Sequence, residues 1–212
     1  MIKNVAYSVA IIYILVFLPL SIANSNFEFI YYGIITTLLF FLLYYLNKKK
    51  SVLSRSVIAG LVFLGLLHLA GGNVTIGGDV LYNLWLIPPD IFKYDNLVHT
   101  YAMFITTIAF HEILKPRIGH IISKPPYLFG ILILISSGIG ASAEIIELIA
   151  VIFLNAGDRV GGYYNNAIDL IFNLSGAIIA SCFLWLKSTY FSKAPKSFLR
   201  RASNNLSQPN SS

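Results

Sequence analysis

Charge is what this sequence has least of. Only 11% of its 212 residues are Asp, Glu, Lys or Arg, and 57% are hydrophobic. Soluble domains carry about 25% charged residues. A deficit spread over the whole length excludes an ordinary soluble fold and points to an integral membrane protein. Cysteine is nearly absent too. The single Cys182 excludes an intrachain disulfide and any cysteine metal cluster, and reads as a small apolar helix residue. No G-x-S-x-G, H-E-x-x-H or Walker loop occurs, and the glycine-rich stretch GGNVTIGGD has no phosphate-loop context. Alternating apolar and polar residues of the β-barrel kind are missing as well. The basic excess, +6 with a pI near 9.4, reports topology and anionic lipid in such a chain, not nucleic acid.

What is present is a series of long apolar runs. Spans of roughly 20 apolar residues fall near 5–23, 28–46, 53–71, 95–114, 127–154 and 165–187. The expectation is an all-α, polytopic transmembrane helical bundle of about six spans forming one domain over 1–190. The fifth span is long, and Gly138 with Gly140 makes a bend or tilt reasonable. With Lys48, Lys49 and Lys50 inside, both termini are cytoplasmic, and only Lys93 and Arg159 of the 15 Lys and Arg fall outside. Lys3, the apolar run after it and small residues around Ala23 also fit a cleaved signal peptide. Removing that segment would not flip the remaining spans. Residues 191–212, basic and then Ser/Asn-rich, read as a disordered cytoplasmic tail lying on anionic headgroups.

Within this background the acids are informative. There are nine, and all but Glu112 fall in outer loops or the outer half of a span. Asp95 opens the fourth span, with His99 about 6 Å deeper at the 1.5 Å rise of a helix. Glu147 and Glu144 lie about 10 and 15 Å below the outer end of the fifth span. Asp169 and Asn173 lie about 6 and 12 Å into the sixth. Asp95/His99 at i,i+4, Glu144/Glu147 at i,i+3, and Asn166/Asp169/Asn173 continued by Gly176 each occupy one helix face. Small residues accompany them, among them Gly140, Ala141, Ser142, Ala143, Ser175 and Gly176, and allow close helix approach. The acids are therefore expected to converge in the outer half of the bilayer.

Intramembrane charge costs about 2.5–3.5 kcal/mol per residue on insertion scales. Two glutamates one turn apart need a counter-charge, a shared proton or a metal. Carboxylate oxygen with imidazole nitrogen suits a divalent ion such as Zn, Mg or Mn. Plainer readings stand beside this one. Asp95 fits a cap of the fourth helix, and Asp169 with Asn165 and Asn166 a cap of the sixth. His68 fits a hydrogen-bonded interfacial histidine, and His111 with Glu112 the opposite interface. Glu144 and Glu147 lie too deep to cap or snorkel, so they resist such readings best.

The segments LHLAGGNVTIGGDVLYNLWLIPPDIFKYDNLVH, ASAEIIELIAVIFLNAGDRVGG and NNAIDLIFNLSGAIIA together resemble the YjdF-like inner-membrane proteins of bacteria, over roughly 55–185. That resemblance implies an inner-membrane location and supplies no reaction. The plan Asp95/His99, Glu144, Arg159, Asp169, Asn173, Gly176 also resembles VanZ-like membrane proteins, with Glu147 where those more often carry Gln.

Three classes of function follow. In an enzyme acting on a membrane lipid or lipid-linked substrate, Asp95, His99, Glu144 and Asp169 hold the ion. Glu147, with Glu144 and His99, then does the proton chemistry, and Arg159, Asn173 and His68 meet the substrate. A proton- or cation-linked transporter or sensor also uses buried acids, but no polar track continues inward through Ile131–Ile135 or Leu184–Leu186. A structural or partner-binding role would use the acids as a lock, at an average of only about 0.6 kcal/mol per interhelical bond.

Overall fold

Apolar side chains run round the long segments instead of keeping to one stripe, so these helices cannot all be covered by protein. In the computed structural model, which describes residues 2–88, 91–119, 125–154 and 163–193, Leu15, Leu134 and Phe153 are 68%, 73% and 77% exposed on outward helix faces. Among the described residues, six helices are long and apolar enough to cross a membrane. They are α1 (Ile2–Ala23), α2 (Phe27–Lys50), α3 (Arg55–Asn73), α4 (Tyr94–Ile118), α5 (Pro125–Leu154) and α6 (Tyr163–Lys193). Each expected span is found, and the helices extend past most of the apolar cores by a turn or so. The tail beyond Lys193 and the 155–162 connection lie outside the described residues.

Asn26 starts α2 by accepting the Phe29 amide, and its own amide donates to the Gly72 carbonyl of α3. Ser54 caps α3 through the Val57 amide. The α1–α3 side has its own apolar core, with Val57, Ile58, Val62 and Leu69 among the most buried. α4 packs most extensively on α6, and α5 lies against both. The α4–α6 approach requires Gly176, where a methyl group would overlap the Thr100 carbonyl. α5 is one continuous helix through Gly138 and Gly140. Gly140 serves contact, since a Cβ there would stand 2.9 Å from Asn173.

Between α3 and α4 the chain is more ordered than a loop. β1 (Thr75–Ile76) pairs antiparallel with β2 (Asp79–Val80) across Gly77 and Gly78, both at positive φ as a two-residue hairpin turn demands. A short 3-10 turn (Leu81–Asn83) leads to β3 (Trp85–Ile87), which pairs with β4 (Phe92–Lys93). This pair of small hairpins covers one end of the bundle, hereafter the hairpin end.

Candidate functional site

Asp95 and His99 lie one turn apart on α4, just below the hairpin end. Asn96 serves the helix start, accepting the Lys93 amide at 2.9 Å. The Asp95 carboxylate lies against His99 instead. From α5, Glu144 comes within 3.4 Å of His99 Nδ1. From α6, Asp169 comes within 3.9 Å of His99 Nε2, and Asn173 within 3.2 Å of Nδ1. Glu144, Asp169 and Asn173 are 6%, 1% and 1% exposed. The expected convergence of the last three helices is therefore present, with His99 at its centre.

The network assigns the two ring nitrogens. The Asn173 amide nitrogen donates to Glu144 Oε1 at 3.0 Å, as a carboxylate there requires an N–H. Asn173 Oδ1 then faces His99 Nδ1, so Nδ1 carries the donated proton. Nε2 is left facing Asp95 Oδ1 at 3.3 Å and Asp169 Oδ1 at 3.9 Å. Both distances exceed the roughly 2.7–2.9 Å of a charge-assisted hydrogen bond. They bracket the edge of a tetrahedron with bonds of about 2.1 Å, which is about 3.4 Å. The donor atoms of Asp95, His99 and Asp169 all lie within 4.8 Å of one another, as do those of His99, Glu144 and Glu147. A neutral imidazole offers one lone pair, so His99 serves one of these groups as a ligand, not both.

Within this cluster two buried carboxylate oxygens, Asp169 Oδ1 and Glu144 Oε2, have no hydrogen-bond partner among the described residues. Leaving a buried acceptor unsatisfied costs about 1–3 kcal/mol, more when it is charged. Asn165 holds the other Asp169 oxygen at 2.7 Å. Asp169 Oδ1 is thus a buried acceptor with no hydrogen bond among the described residues, 3.9 Å from Nε2.

Asp95, His99, Glu147 and Asn173 line a cavity of about 610 Å³, and His68 lies on its α3 wall. His68 is not at the carboxylates. Its Nδ1 meets the Tyr82 hydroxyl at 2.5 Å, and the Phe29 and Tyr32 rings flank it. Burial, and then the Asp95 and Glu147 carboxylates, push the Tyr82 phenol well above its ordinary range. It keeps its proton, so the hydroxyl pairs with His68 Nδ1 as donor or acceptor according to the imidazole tautomer. Arg159 lies outside the described residues. His111 and Glu112 stay at the far end of α4, where Glu112 Oε2 accepts the Ser54 amide at 2.7 Å, as an interfacial role requires.

Sequence reasoning missed Lys93 and Tyr82 as site residues, and gave Asn165 only as part of a helix cap. Lys93 lines the cavity and sits 4.9 Å over the Trp85 ring. Its trace in the sequence was its place as one of the two exceptions to the positive-inside pattern. Tyr82 belongs to a hairpin that carries no periodic mark.

Over residues 5–189 the chain matches the family model described as "Predicted membrane protein (DUF2238)". No curated protein matches it, and no solved structure does.

Proposed function

We propose a function for a chain that belongs to the DUF2238 family of predicted membrane proteins: a metal-dependent hydrolase or transferase working on a lipid or lipid-linked phosphate. The bacterial inner membrane is its site, with both termini cytoplasmic and the hairpin end outside, as the charge distribution favours. The observation that carries the reading is the meeting of His99 Nε2, Asp95 and the unsatisfied Asp169 Oδ1 at metal-ligand spacing. Asp95, His99 and Asp169 would hold one divalent ion and leave a position open, as catalytic sites do. The spacing suits tetrahedral zinc better than magnesium or manganese, whose octahedral edges are about 3.0–3.1 Å. A bound ion polarises a phosphoryl oxygen and lowers the pKa of its water.

The remaining residues have separable tasks. Glu144 acts through Asn173 to hold the Nδ1–H tautomer, the outer contact that metal-bound histidines need. Glu147, on the cavity wall, would take the proton of the water that attacks phosphorus and give it to the alcohol oxygen that leaves as the P–O bond breaks. Lys93 neutralises phosphate charge at the cavity's polar end, a task Arg159 would share, and His68 with Asn173 borders the headgroup.

Purified protein in mild detergent, analysed for bound metal and melted with added zinc, manganese or magnesium, tests this. About one ion per chain, with a raised melting temperature abolished in His99→Ala, is expected. Metal-free protein whose melting none of the three ions alters would remove the reading. Transport fits less well, because the cavity wall turns apolar away from the hairpin end, at Leu39, Phe40 and Leu43.

A further inference from the structure

The cavity does not end at the carboxylates. From Asp95, His99 and Glu147 it continues away from the hairpin end between α2, α3, α4 and α5, over a wall of Leu39, Phe40, Leu43, Leu61, Leu64 and Ile139. Its wall runs from Leu61 to Gly72 on α3 and from Asp95 to Thr106 on α4. Each stretch is about 16 Å at the helical rise. One leaflet's hydrocarbon is about 15 Å deep. A slot that is polar at one end, apolar beyond it and one leaflet long has the dimensions of a single lipid chain.

The opening can be located. Of the residues that line the cavity, only Leu39 on α2 and Ala143 on α5 are exposed. The gap therefore lies sideways, between α2 and α5, at a depth that lipid tails occupy. Toward the polar end, Val80, Tyr82 and Asn83 of the hairpin region form part of the wall. Lys93 is the cation of that wall among the described residues, beside the centre at His99. Its charge selects an anionic headgroup at the place where the apolar slot begins.

We infer that one acyl chain of a bilayer phospholipid enters between α2 and α5 and lies in this slot, its phosphate held at Lys93 beside the His99 centre. The inference deepens the lipid reading above and rests on it for the place of the headgroup. It also explains the volume, which suits one chain; a second chain of the same lipid stays in the bilayer. Moving a chain from lipid into an apolar slot gains little, since lipid tails are as apolar as leucine. Selection therefore falls to the headgroup.

The test uses the full chain in nanodiscs containing phosphatidylglycerol with a photoreactive diazirine at the end of one acyl chain. After irradiation, adducts are mapped by peptide. The expected result is several-fold enrichment on 36–43 of α2 and 61–65 of α3 over the lipid-facing residue Leu134. Leu39→Trp and Ala143→Trp, both at exposed positions that tolerate bulk, should each lower that enrichment several-fold, while Leu134→Trp leaves it unchanged. Uniform labelling, or enrichment insensitive to both plugs, overturns the inference. So does displacement of the label by long-chain polyprenyl phosphate but not by excess unlabelled phosphatidylglycerol. The experiment is repeated with chelator and in His99→Ala. Slot labelling in a protein that binds no metal sinks the metal reading alone. Stoichiometric metal with uniform labelling sinks the slot alone.

Discussion

Replacing Asn173 by leucine, of similar size, removes the bridge between Glu144 and the imidazole without touching a proposed ligand. Two contacts vanish, Asn173 to Glu144 at 3.0 Å and His99 Nδ1 to Asn173 at 3.2 Å. Interhelical hydrogen bonds in membranes average about 0.6 kcal/mol each, so the bonds account for about 1.2 kcal/mol. Glu144 Oε2 already lacks a hydrogen-bond partner. Stripping its other oxygen of the amide adds about 1–3 kcal/mol for an unsatisfied buried acceptor. The metal-free variant should therefore lose about 2–4 kcal/mol of stability. Loss of an outer-shell partner also weakens metal binding by about 10–100-fold, or about 1.4–2.7 kcal/mol. Thermal melting in detergent measures the first quantity, and zinc titration against a competing chelator the second. A variant that binds zinc as tightly as the parent would refute the tautomer assignment, even if it were less stable. A variant unchanged in both would deny that the bridge exists.

Gly176→Ala puts a methyl group against the Thr100 carbonyl, and backbone cannot yield as a side-chain tip can. It should cost about 1–3 kcal/mol, read as a lower melting temperature, and an unaltered melt would contradict the close α4–α6 approach. Tyr82→Phe deletes the hydroxyl paired with His68 and should destabilise by about 1–2 kcal/mol while leaving metal stoichiometry intact. Loss of metal in that variant would move His68 into the metal centre. Glu147→Gln should retain the ion and lose turnover of a phospholipid substrate by about 10²–10⁴-fold, whereas loss of the ion would make Glu147 a ligand. Because ligands must be deprotonated to bind, zinc should be released as the pH is lowered, and affinity flat with pH would argue against carboxylate–imidazole ligation.

The spans and the polar faces were legible because helices repeat. An apolar run of about 20 residues has few alternatives in lipid. Asp95 with His99, Glu144 with Glu147, and Asp169 with Asn173 share faces through the same 3.6-residue period, so placing the helices places the cluster. The division of the cluster about the ring was not legible. Asp95 and Asp169 face one nitrogen, Glu144 and Asn173 the other. That split depends on the rotation of α5 and α6 about α4, which spacing along one chain does not encode. The hairpins of 75–93 were equally hidden, because strands of two or three residues carry no pattern long enough to read. Lys93 reaches the cavity only because β4 returns the chain there, immediately before α4 begins. The slot beyond His99 is a space between helices distant in sequence, and no single segment marks it.

X-ray absorption at the zinc edge, on zinc-loaded protein in nanodiscs, addresses the centre at His99 most directly. The account predicts one imidazole nitrogen and carboxylate oxygens at about 2.0–2.2 Å, with the imidazole scattering lost in His99→Ala. A shell of water oxygens alone, or a spectrum identical in parent and His99→Ala, would contradict it.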